Sequence, residues 1–155
     1  MIETARIEDA PAILALQKMA YQGEAELYDD YSIQPLTQTL DEVFSEFQTH
    51  TVFKAMVGSN LVGSVRTEVV GKTCYVKKLI VSPFVQNHGV GTSLMRFIEG
   101  HYGGGVNRYE LFTGFRSRKN LHLYEKLGYR EFRRERANDK LVFVFMEKQC
   151  MCNAI

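Results

Sequence analysis

The stretch LIVSPFVQNHGVGTSLM, residues 79–95, joins an apolar run to an amphipathic helical pattern through a polar turn that contains glycine. The first turn of a helix has free backbone N–H groups and a partial positive charge. Glycines such as Gly89 and Gly91 let an anion approach such groups closely. The pattern alone leaves two interpretations open: an anion-binding turn, or a strand-to-helix turn that needs glycine only for its shape.

Two other glycine loops do not fit this turn. A P-loop would end in Gly-Lys-Ser or Gly-Lys-Thr, whereas the chain reads Gly91-Thr92-Ser93 without a lysine. A dinucleotide-binding turn would place its third glycine where this chain has Leu94, and it would follow the strand more tightly. The turn therefore belongs to neither class.

The patterns on either side of the turn predict an α/β fold. Three β-rich runs precede it, with glycine turns at residues 58–60 and 71–72 between them, as in hairpins: TVFKAMV, LVGSVRTEVV and TCYVKKLIV. Further strands are predicted at MIETARI, RYELFTG, YREFRRERA and KLVFVFMEK. Because strands and helices alternate along the chain, we expect a mixed sheet with helices on its faces.

Four helices are predicted by apolar residues at helical spacing. They are EDAPAILALQKMA with Asp9 as N-cap, LTQTLDEVFSEFQTH, the helix that follows the glycine turn, and SRKNLHLYEKLG with Ser117 as N-cap and Gly128 as its stop. The segment between the first two, residues 21–35, is rich in tyrosine and acid and breaks this regularity. We expect it to be a loop.

Length and composition predict one domain over residues 1–155, since a chain that is 45% hydrophobic can bury a sizeable core. The formal net charge of +1 disfavours nucleic acid or a membrane as a partner. No apolar run approaches the roughly 20 residues of a membrane span, and the N-terminus has no signal-like apolar core. Three cysteines do not form a disulfide framework, so we expect a cytoplasmic protein. Cys150 and Cys152 lack the further ligands of a zinc site, and we expect no metal.

Three segments together resemble one family. QNHGVG, residues 86–91, matches the Gln/Arg-x-x-Gly-x-Gly/Ala signature of the GNAT superfamily of N-acetyltransferases. YVKKLIVSP resembles the family's central fourth strand, and NLHLYEKLGY resembles its closing helix. The resemblance covers nearly the whole chain. It implies a mixed, mostly antiparallel sheet flanked by about four helices and splayed between its fourth and fifth strands, with acetyl-CoA as donor and a primary amine as acceptor.

The resemblance also implies the cofactor-binding residues. Backbone amides would hold the pyrophosphate of the cofactor at Gln86, Asn87, His88, Gly89, Val90, Gly91 and Thr92. Leu79, Ile80 and Val81 would pair with the pantetheine arm as if it were an extra strand. Asn120 would bind the end of that arm. His88 stands where the family often has arginine or glycine, which weakens only the side-chain contribution.

Tyr124 is the candidate proton donor to the departing thiolate. It lies four residues after Asn120, so both project from one helical face, and the reference pKa of tyrosine is about 10, near that of a thiol. Helix pattern alone favours a tyrosine packed in the core, and the family resemblance reverses that preference. The general base is left open between Glu68, which neighbours the central strand, and water; a solvated strand carboxylate is the alternative for Glu68.

The acceptor-binding residues are expected in the segment from Tyr21 to Tyr31, where the family builds its acceptor loop. Acids such as Glu24 would attract a cationic amine, and Tyr21, Tyr28 and Tyr31 would wall an apolar stem. A solvated loop with ordinary tyrosine anchors is the alternative. The acceptor itself stays unidentified, and a small molecule is weakly favoured.

The sequence thus predicts an enzyme that transfers acetyl directly from acetyl-CoA to a primary amine in a ternary complex, without a covalent intermediate. A non-catalytic sensor of coenzyme A and a partner-binding module that keeps only the fold are the alternatives. A homodimer is possible, since many members of the family form one.

Overall fold

A computed structural model describes residues 1–150, in which seven strands form one sheet. The strands are β1 (Ile2–Thr4), β2 (Thr51–Val57), β3 (Asn60–Val70), β4 (Thr73–Val81), β5 (Arg108–Gly114), β6 (Arg130–Arg136) and β7 (Val142–Gln149). The helices are α1 (Ala10–Ala20), α2 (Gln22–Tyr28), α3 (Gln34–Thr37), α4 (Leu40–Thr49), α5 (Val90–Tyr102) and α6 (Arg118–Lys126). Short 3₁₀ turns precede α1 at Ile7–Asp9 and α5 at Pro83–Val85.

The sheet is mixed, as predicted. Its strand order is β1-β2-β3-β4-β5-β7-β6, and β4 and β5 are its parallel neighbours while the other described pairs are antiparallel. The β4–β5 pairing is confined to three registers, from Thr73 opposite Arg108 to Tyr75 opposite Glu110. Both strands continue well beyond that point, so the sheet opens between them. The predicted splay between the fourth and fifth strands is confirmed.

Helices pack on both faces of the sheet, and Gly63 sets how closely α5 approaches. A Cβ atom at Gly63 would lie 2.9 Å from Val90 Cγ1 and 3.0 Å from Leu94 Cδ1. Because glycine has no such atom, the N-terminal turn of α5 lies directly against β3. On the opposite face, Arg66 of the same strand contacts α1 and α4.

The helices differ from the predicted set in the segment before β2. Residues 21–35 were expected to form a loop. The structure instead has the short helix α2 in this segment and the short helix α3 at its end. The helix predicted over residues 36–50 is interrupted, because the Thr39 hydroxyl accepts a hydrogen bond from Glu42 N at 3.2 Å and caps a new helix at Leu40. The count is therefore six α-helices among residues 1–150, where the sequence predicted about four.

The predicted side-chain caps at Asp9 and Ser117 do not form. Asp9 precedes α1, but its carboxylate accepts hydrogen bonds from Arg6 N at 2.8 Å and from Lys54 Nζ at 3.0 Å. Ser117 precedes α6, and its hydroxyl donates to Glu24 Oε2 at 2.5 Å instead of accepting from the helix. A long-range contact thus replaces the local cap at Ser117.

A buried polar group lies beneath the α1 and α4 side of the sheet, and we call it the Arg66 cluster: Gln17, Gln38, Glu46, Arg66 and Lys78. Arg66 is 1% exposed, its Nε lies 2.7 Å from Glu46 Oε1, and its Nη2 donates to Gln17 Oε1 at 2.8 Å. Glu46 Oε2 also accepts from Lys78 Nζ at 3.1 Å. Although burial alone would raise it, the charges of Arg66 and Lys78 hold the pKa of Glu46 below its usual value.

Candidate active site

The opening between β4 and β5 forms a cavity of about 430 Å³. Most of its wall is apolar or aromatic, and its polar groups come from residues 21–35, from β4, β5 and α6, and from Asn138. The apolar wall includes Tyr21, Tyr28, Ile33, Leu79, Phe112 and Phe143, and the polar groups include Glu24, Asp30, Thr113, Asn120 and Tyr124. A mostly apolar cleft with a few convergent polar groups is typical of a small-molecule site.

A bulge in β4 lies on the wall of this cavity. The β3–β4 register shifts between Ser64 and Arg66, and Lys78 at this point has φ +51°. Positive φ in a residue other than glycine is uncommon, and here the Lys78 side chain is fastened in the Arg66 cluster by Gln38 Oε1 at 3.0 Å and by Glu46. The bulge changes the direction of β4 in the part of the strand that no longer pairs with β5.

The glycine turn brings the start of α5 next to the free end of β4. No side chain caps α5, whose N-cap is Gly89 with φ +79°, and its backbone bonding starts with Ser93 N to Gly89 O at 2.9 Å. A Cβ atom at Gly91 would lie 3.7 Å from Val81 Cγ2 and 3.4 Å from Leu123 Cδ2. The N–H groups of the first helical turn therefore lie close to the end of β4, where an anionic group can be bound.

Tyr124 and Asn120 lie on the inner face of α6 and both line the cavity. Asn120 Nδ2 donates to Thr113 Oγ1 of β5 at 3.4 Å, and Tyr124 is 5% exposed. Burial raises the pKa of the Tyr124 phenol above its usual range, with the charge of Glu24 adding to the effect. Tyr124 therefore carries its proton at neutral pH, as a proton donor must.

Glu24 and Tyr28 of the predicted acceptor segment also line the cavity, while Tyr31 lies outside its wall and is 55% exposed. Tyr28 Oη accepts from Arg116 N at 2.9 Å. Burial raises the pKa of the Glu24 carboxyl, and the hydrogen bond from Ser117 partly offsets the rise. The structure thus brings Glu24, Tyr28, Asn120 and Tyr124 to one cavity.

Glu68, the residue considered as general base from the sequence, lies on β3 away from the cavity wall. Its Oε1 accepts from Lys77 Nζ at 2.9 Å, and the His50 Nε2 is 3.6 Å away. The hydrogen bond and charge of Lys77 lower the pKa of Glu68. Its surroundings are those of a surface ion pair, and sequence proximity to the central strand did not place it near Tyr124.

Sequence reasoning missed Thr113 and Ser117 as members of this site, whereas Tyr21 was among the expected wall residues. Tyr21 and Thr113 line the cavity, and Ser117 holds the Glu24 carboxylate. A signal was present for Thr113, since it lies near the end of the strand that follows the opening in a splayed sheet. No local signal joins Ser117 to Glu24, because the two residues are 93 positions apart.

We expect Gly114→Ala to displace Tyr28 from the cavity wall. A Cβ atom at Gly114 would overlap Tyr28 Oη, so the tyrosine must move and lose its hydrogen bond from Arg116 N. The expected result is a loss of about 1–3 kcal/mol in the free energy of unfolding, measured in urea. A Tyr28→Phe, Gly114→Ala double variant should recover part of that loss. Equal stability of Gly114→Ala and the wild type would contradict the contact.

Residues 1–150 contain neither a candidate membrane-spanning helix nor a candidate metal-binding cluster. No helix in this part of the chain is long and apolar enough to cross a membrane. No group of three or more His, Cys, Asp or Glu side chains in the same residues is arranged to hold a metal ion.

Comparison with known proteins identifies relatives of this arrangement. The family model described as the acetyltransferase (GNAT) domain matches residues 15–150. Among curated proteins, no sequence match was found.

Several solved structures share the fold at low sequence identity. The PaiA N-acetyltransferase from Thermoplasma acidophilum, solved with coenzyme A, has a TM-score of 0.80 at 15% identity and covers 96% of this chain and 98% of its own. A ribosomal-protein-alanine N-acetyltransferase from Escherichia coli has a TM-score of 0.81 at 18% identity, with 99% and 96% covered. A chimera of the spermidine N-acetyltransferase SpeG from Vibrio cholerae and hSSAT has a TM-score of 0.73 at 16% identity, with 96% and 95% covered.

Proposed function

The chain belongs to the GNAT acetyltransferase family, and from that premise we propose that it transfers acetyl from acetyl-CoA directly to the primary amine of a small molecule. The observation that carries the proposal is the opening between β4 and β5, with the uncapped start of α5 at its side and Tyr124 on its wall. We further propose that residues 1–155 form one such domain.

The residues present fit acetyl-CoA. A pyrophosphate needs backbone N–H donors and positive charge, and the first turn of α5 offers both beside the open position at Gly89. An extended arm needs unpaired strand backbone, and β4 from Lys77 to Val81 has no register with β5. Gln86 to Thr92, Leu79, Ile80, Val81 and Asn120 are the residues we propose to hold it. A structure solved with coenzyme A at a TM-score of 0.80 supports this use of the fold.

The thioester supplies an activated acetyl group, and this chain's residues would do the rest. Backbone N–H groups near the β4 bulge would stabilise the oxyanion that develops on the acetyl carbonyl. Tyr124 would give its proton to the sulfur as the C–S bond breaks, because it lies on the cavity wall and keeps its proton at neutral pH. The apolar wall would exclude water and so limit hydrolysis.

Direct transfer is favoured over a covalent enzyme intermediate by the setting of Cys74. This residue is fully buried in the core, and burial raises the pKa of its thiol to about 12. A thiol in that setting is rarely ionised at neutral pH, and the thiolate is the nucleophilic form.

Acceptor size is inferred from the cavity. Its volume of about 430 Å³ lies in the range of small-molecule sites, and the acceptor shares it with the reactive end of the cofactor. The relatives' names include both a ribosomal-protein alanine and spermidine as acceptors, so fold alone does not decide between a protein and a small molecule. The enclosed apolar wall favours the small molecule.

Gly89→Glu is expected to abolish the stabilisation of the protein by acetyl-CoA. At about 100 times Kd, a ligand that binds only the folded state adds about 2.7 kcal/mol and raises Tm by roughly 5–10 °C. A carboxylate at Gly89 would occupy the anion position and repel the pyrophosphate. Differential scanning fluorimetry with and without acetyl-CoA measures the effect.

Gly71→Glu is the matched control for this experiment. Gly71 has φ +62° and open space around it, so the substitution carries the same backbone strain at the opposite end of β4 from the first turn of α5. It should lower the basal Tm as Gly89→Glu does and keep the full acetyl-CoA shift. A full shift in Gly89→Glu would contradict the proposed cradle.

A further inference from the structure

The cavity wall carries two carboxylates, Glu24 and Asp30, that have no ion-pair partner in the described part of the chain. Its two lysines, Lys77 and Lys78, bind carboxylates that lie outside the wall. Within residues 1–150, neither Glu24 nor Asp30 forms a salt bridge within 4.0 Å. Lys78 Nζ is bound by Glu46 and Gln38, and Lys77 Nζ is bound by Glu68 at 2.9 Å. Because Glu46, Gln38 and Glu68 lie outside the cavity wall, these contacts draw both ammonium groups towards acceptors outside the cavity, and Lys78 shares Glu46 with Arg66.

The surroundings of Glu24 suit a carboxylate that exchanges a proton. Ser117 donates to Oε2 at 2.5 Å and so fixes one oxygen, which leaves Oε1 to face a ligand. The titratable groups that face Glu24 are Tyr21 and Tyr124, and burial raises the pKa of both phenols so that neither carries charge at neutral pH. Arg66, whose charge reaches Tyr21, is paired with Glu46. Glu24 is thus a carboxylate without a cationic partner among residues 1–150, placed beside two uncharged phenols.

We propose that Glu24 is the catalytic base that deprotonates the acceptor, and that the acceptor is a primary amine on an apolar or aromatic body without a carboxylate beside the amine. This inference rests on the proposed function. Such an amine binds as its ammonium ion because Glu24 is its counter-charge, and its body fills the wall formed by Tyr28, Ile33, Phe112 and Phe143. A carboxylate beside the amine would meet Glu24, and both lysines on the wall already have a carboxylate partner.

The proton balance of the step is complete. Glu24 takes one proton from the ammonium nitrogen, and the freed lone pair forms the C–N bond at the acetyl carbon while the C–S electrons leave on sulfur. Tyr124 protonates that sulfur and recovers a proton from the new amide nitrogen. Glu24 then releases its proton to solvent, so that ammonium and thioester yield amide, thiol and one free proton.

The base role is tested by the pH profile of Glu24→Gln. Gln keeps the shape and can still accept the Ser117 hydrogen bond, but it binds no proton. We expect kcat to fall about 100-fold near neutral pH and to recover as pH approaches the pKa of the free amine, because the amine is then already neutral. The wild type should instead reach its plateau once pH exceeds the raised pKa of Glu24.

Glu26→Gln serves as the matched control, since Glu26 is exposed on the same helix and does not line the cavity. It should keep the wild-type rate and profile. A Glu24→Gln profile that parallels the wild type at any rate level would overturn the base role, because a merely structural loss lowers the rate without moving the pH dependence.

The acceptor class is tested with three compounds that share one aromatic body: 2-phenylethylamine, phenylalaninamide and phenylalanine. We expect kcat/KM for phenylalanine to be at least about 100-fold below that for 2-phenylethylamine, with phenylalaninamide near the amine. In both Asp30→Asn and Glu24→Gln, kcat/KM for phenylalanine should lie closer to kcat/KM for 2-phenylethylamine than in the wild type. Equal or better use of phenylalanine would overturn the acceptor class.

The two proposals fail in distinguishable ways. Absence of an acetyl-CoA shift in Tm would remove the proposed function together with this inference. A normal shift, with turnover confined to carboxylate-bearing amines or absent for every apolar amine, would overturn the acceptor class alone.

Discussion

Tyr124→Phe is expected to lower kcat by about 10²- to 10⁴-fold while the acetyl-CoA-induced rise in Tm stays at its wild-type size. The phenol lines the cavity, and burial raises its pKa so that it keeps a proton to give to the sulfur. Phenylalanine preserves the ring and its tilted contact with Tyr129, whose ring centroid is 6.0 Å away. Steady-state kinetics of thiol release, with the thermal shift on the same samples, measures both quantities.

Tyr129→Phe is the matched control. Tyr129 is as deeply buried, and its hydroxyl donates to Glu99 Oε2 at 3.4 Å away from the cavity. This variant should keep kcat within about twofold of the wild type, with any loss confined to stability. If both variants lost kcat to the same extent, or if Tyr124→Phe kept full turnover, Tyr124 would not be the proton donor.

Glu46→Gln should have the largest effect on stability, about 3 kcal/mol in the free energy of unfolding. The change removes the counter-charge of Arg66, which is 1% exposed, and of Lys78. Unfolding in urea at neutral pH measures the loss. A Glu125→Gln control on the exposed face of α6 should stay within about 0.5 kcal/mol of the wild type.

The same variant makes a prediction about pH. Since Arg66 and Lys78 hold the pKa of Glu46 below its unfolded value of 4.5, its stabilisation is complete above that pH and is lost as pH falls through the folded value. The difference in stability between wild type and Glu46→Gln should therefore shrink in acid. A difference that stays constant from neutral pH to well below 4.5 would show that the charge of Glu46 is not what stabilises the cluster.

Loss of the Arg66 cluster should also change the conformation of β4 where this strand lines the cavity. Glu46 and Gln38 hold the side chain of Lys78, whose backbone has φ +51° at the β4 bulge. The cluster thus links the stability of the α4 side of the sheet to the strand that lines the cavity. A residue in that conformation persists only where its surroundings hold it.

Much of the fold was predictable because its signals are local. Glycine turns at residues 58–60 and 71–72 separate the three central strands, and RYELFTG is β5 from its first residue to its last. The start of α5 was predictable because the glycines at positions 89 and 91 coincide with the switch from strand to helix pattern. These features depend on backbone preferences of neighbouring residues.

The parts that were not predicted depend on contacts between distant residues. Helices α2 and α3 are too short to show a period, and they form where they close over the cavity. Arg66 in a strand suggests an exposed residue, yet Gln17 and Glu46 from two helices bury it. Glu24 and Ser117 are 93 positions apart in the sequence, so nothing local distinguished Glu24 from the other acids of its segment. Glu68 was chosen as candidate base because it neighbours the central strand in sequence.

The most direct test of acetyl transfer is continuous measurement of thiol release from acetyl-CoA with a panel of primary amines, with the acetylated product identified by mass spectrometry. Transfer predicts thiol release in one-to-one proportion with an N-acetylated amine, and its loss in Tyr124→Phe and in Gly89→Glu. Binding of acetyl-CoA without thiol release for any amine would contradict catalysis and indicate a sensor of coenzyme A.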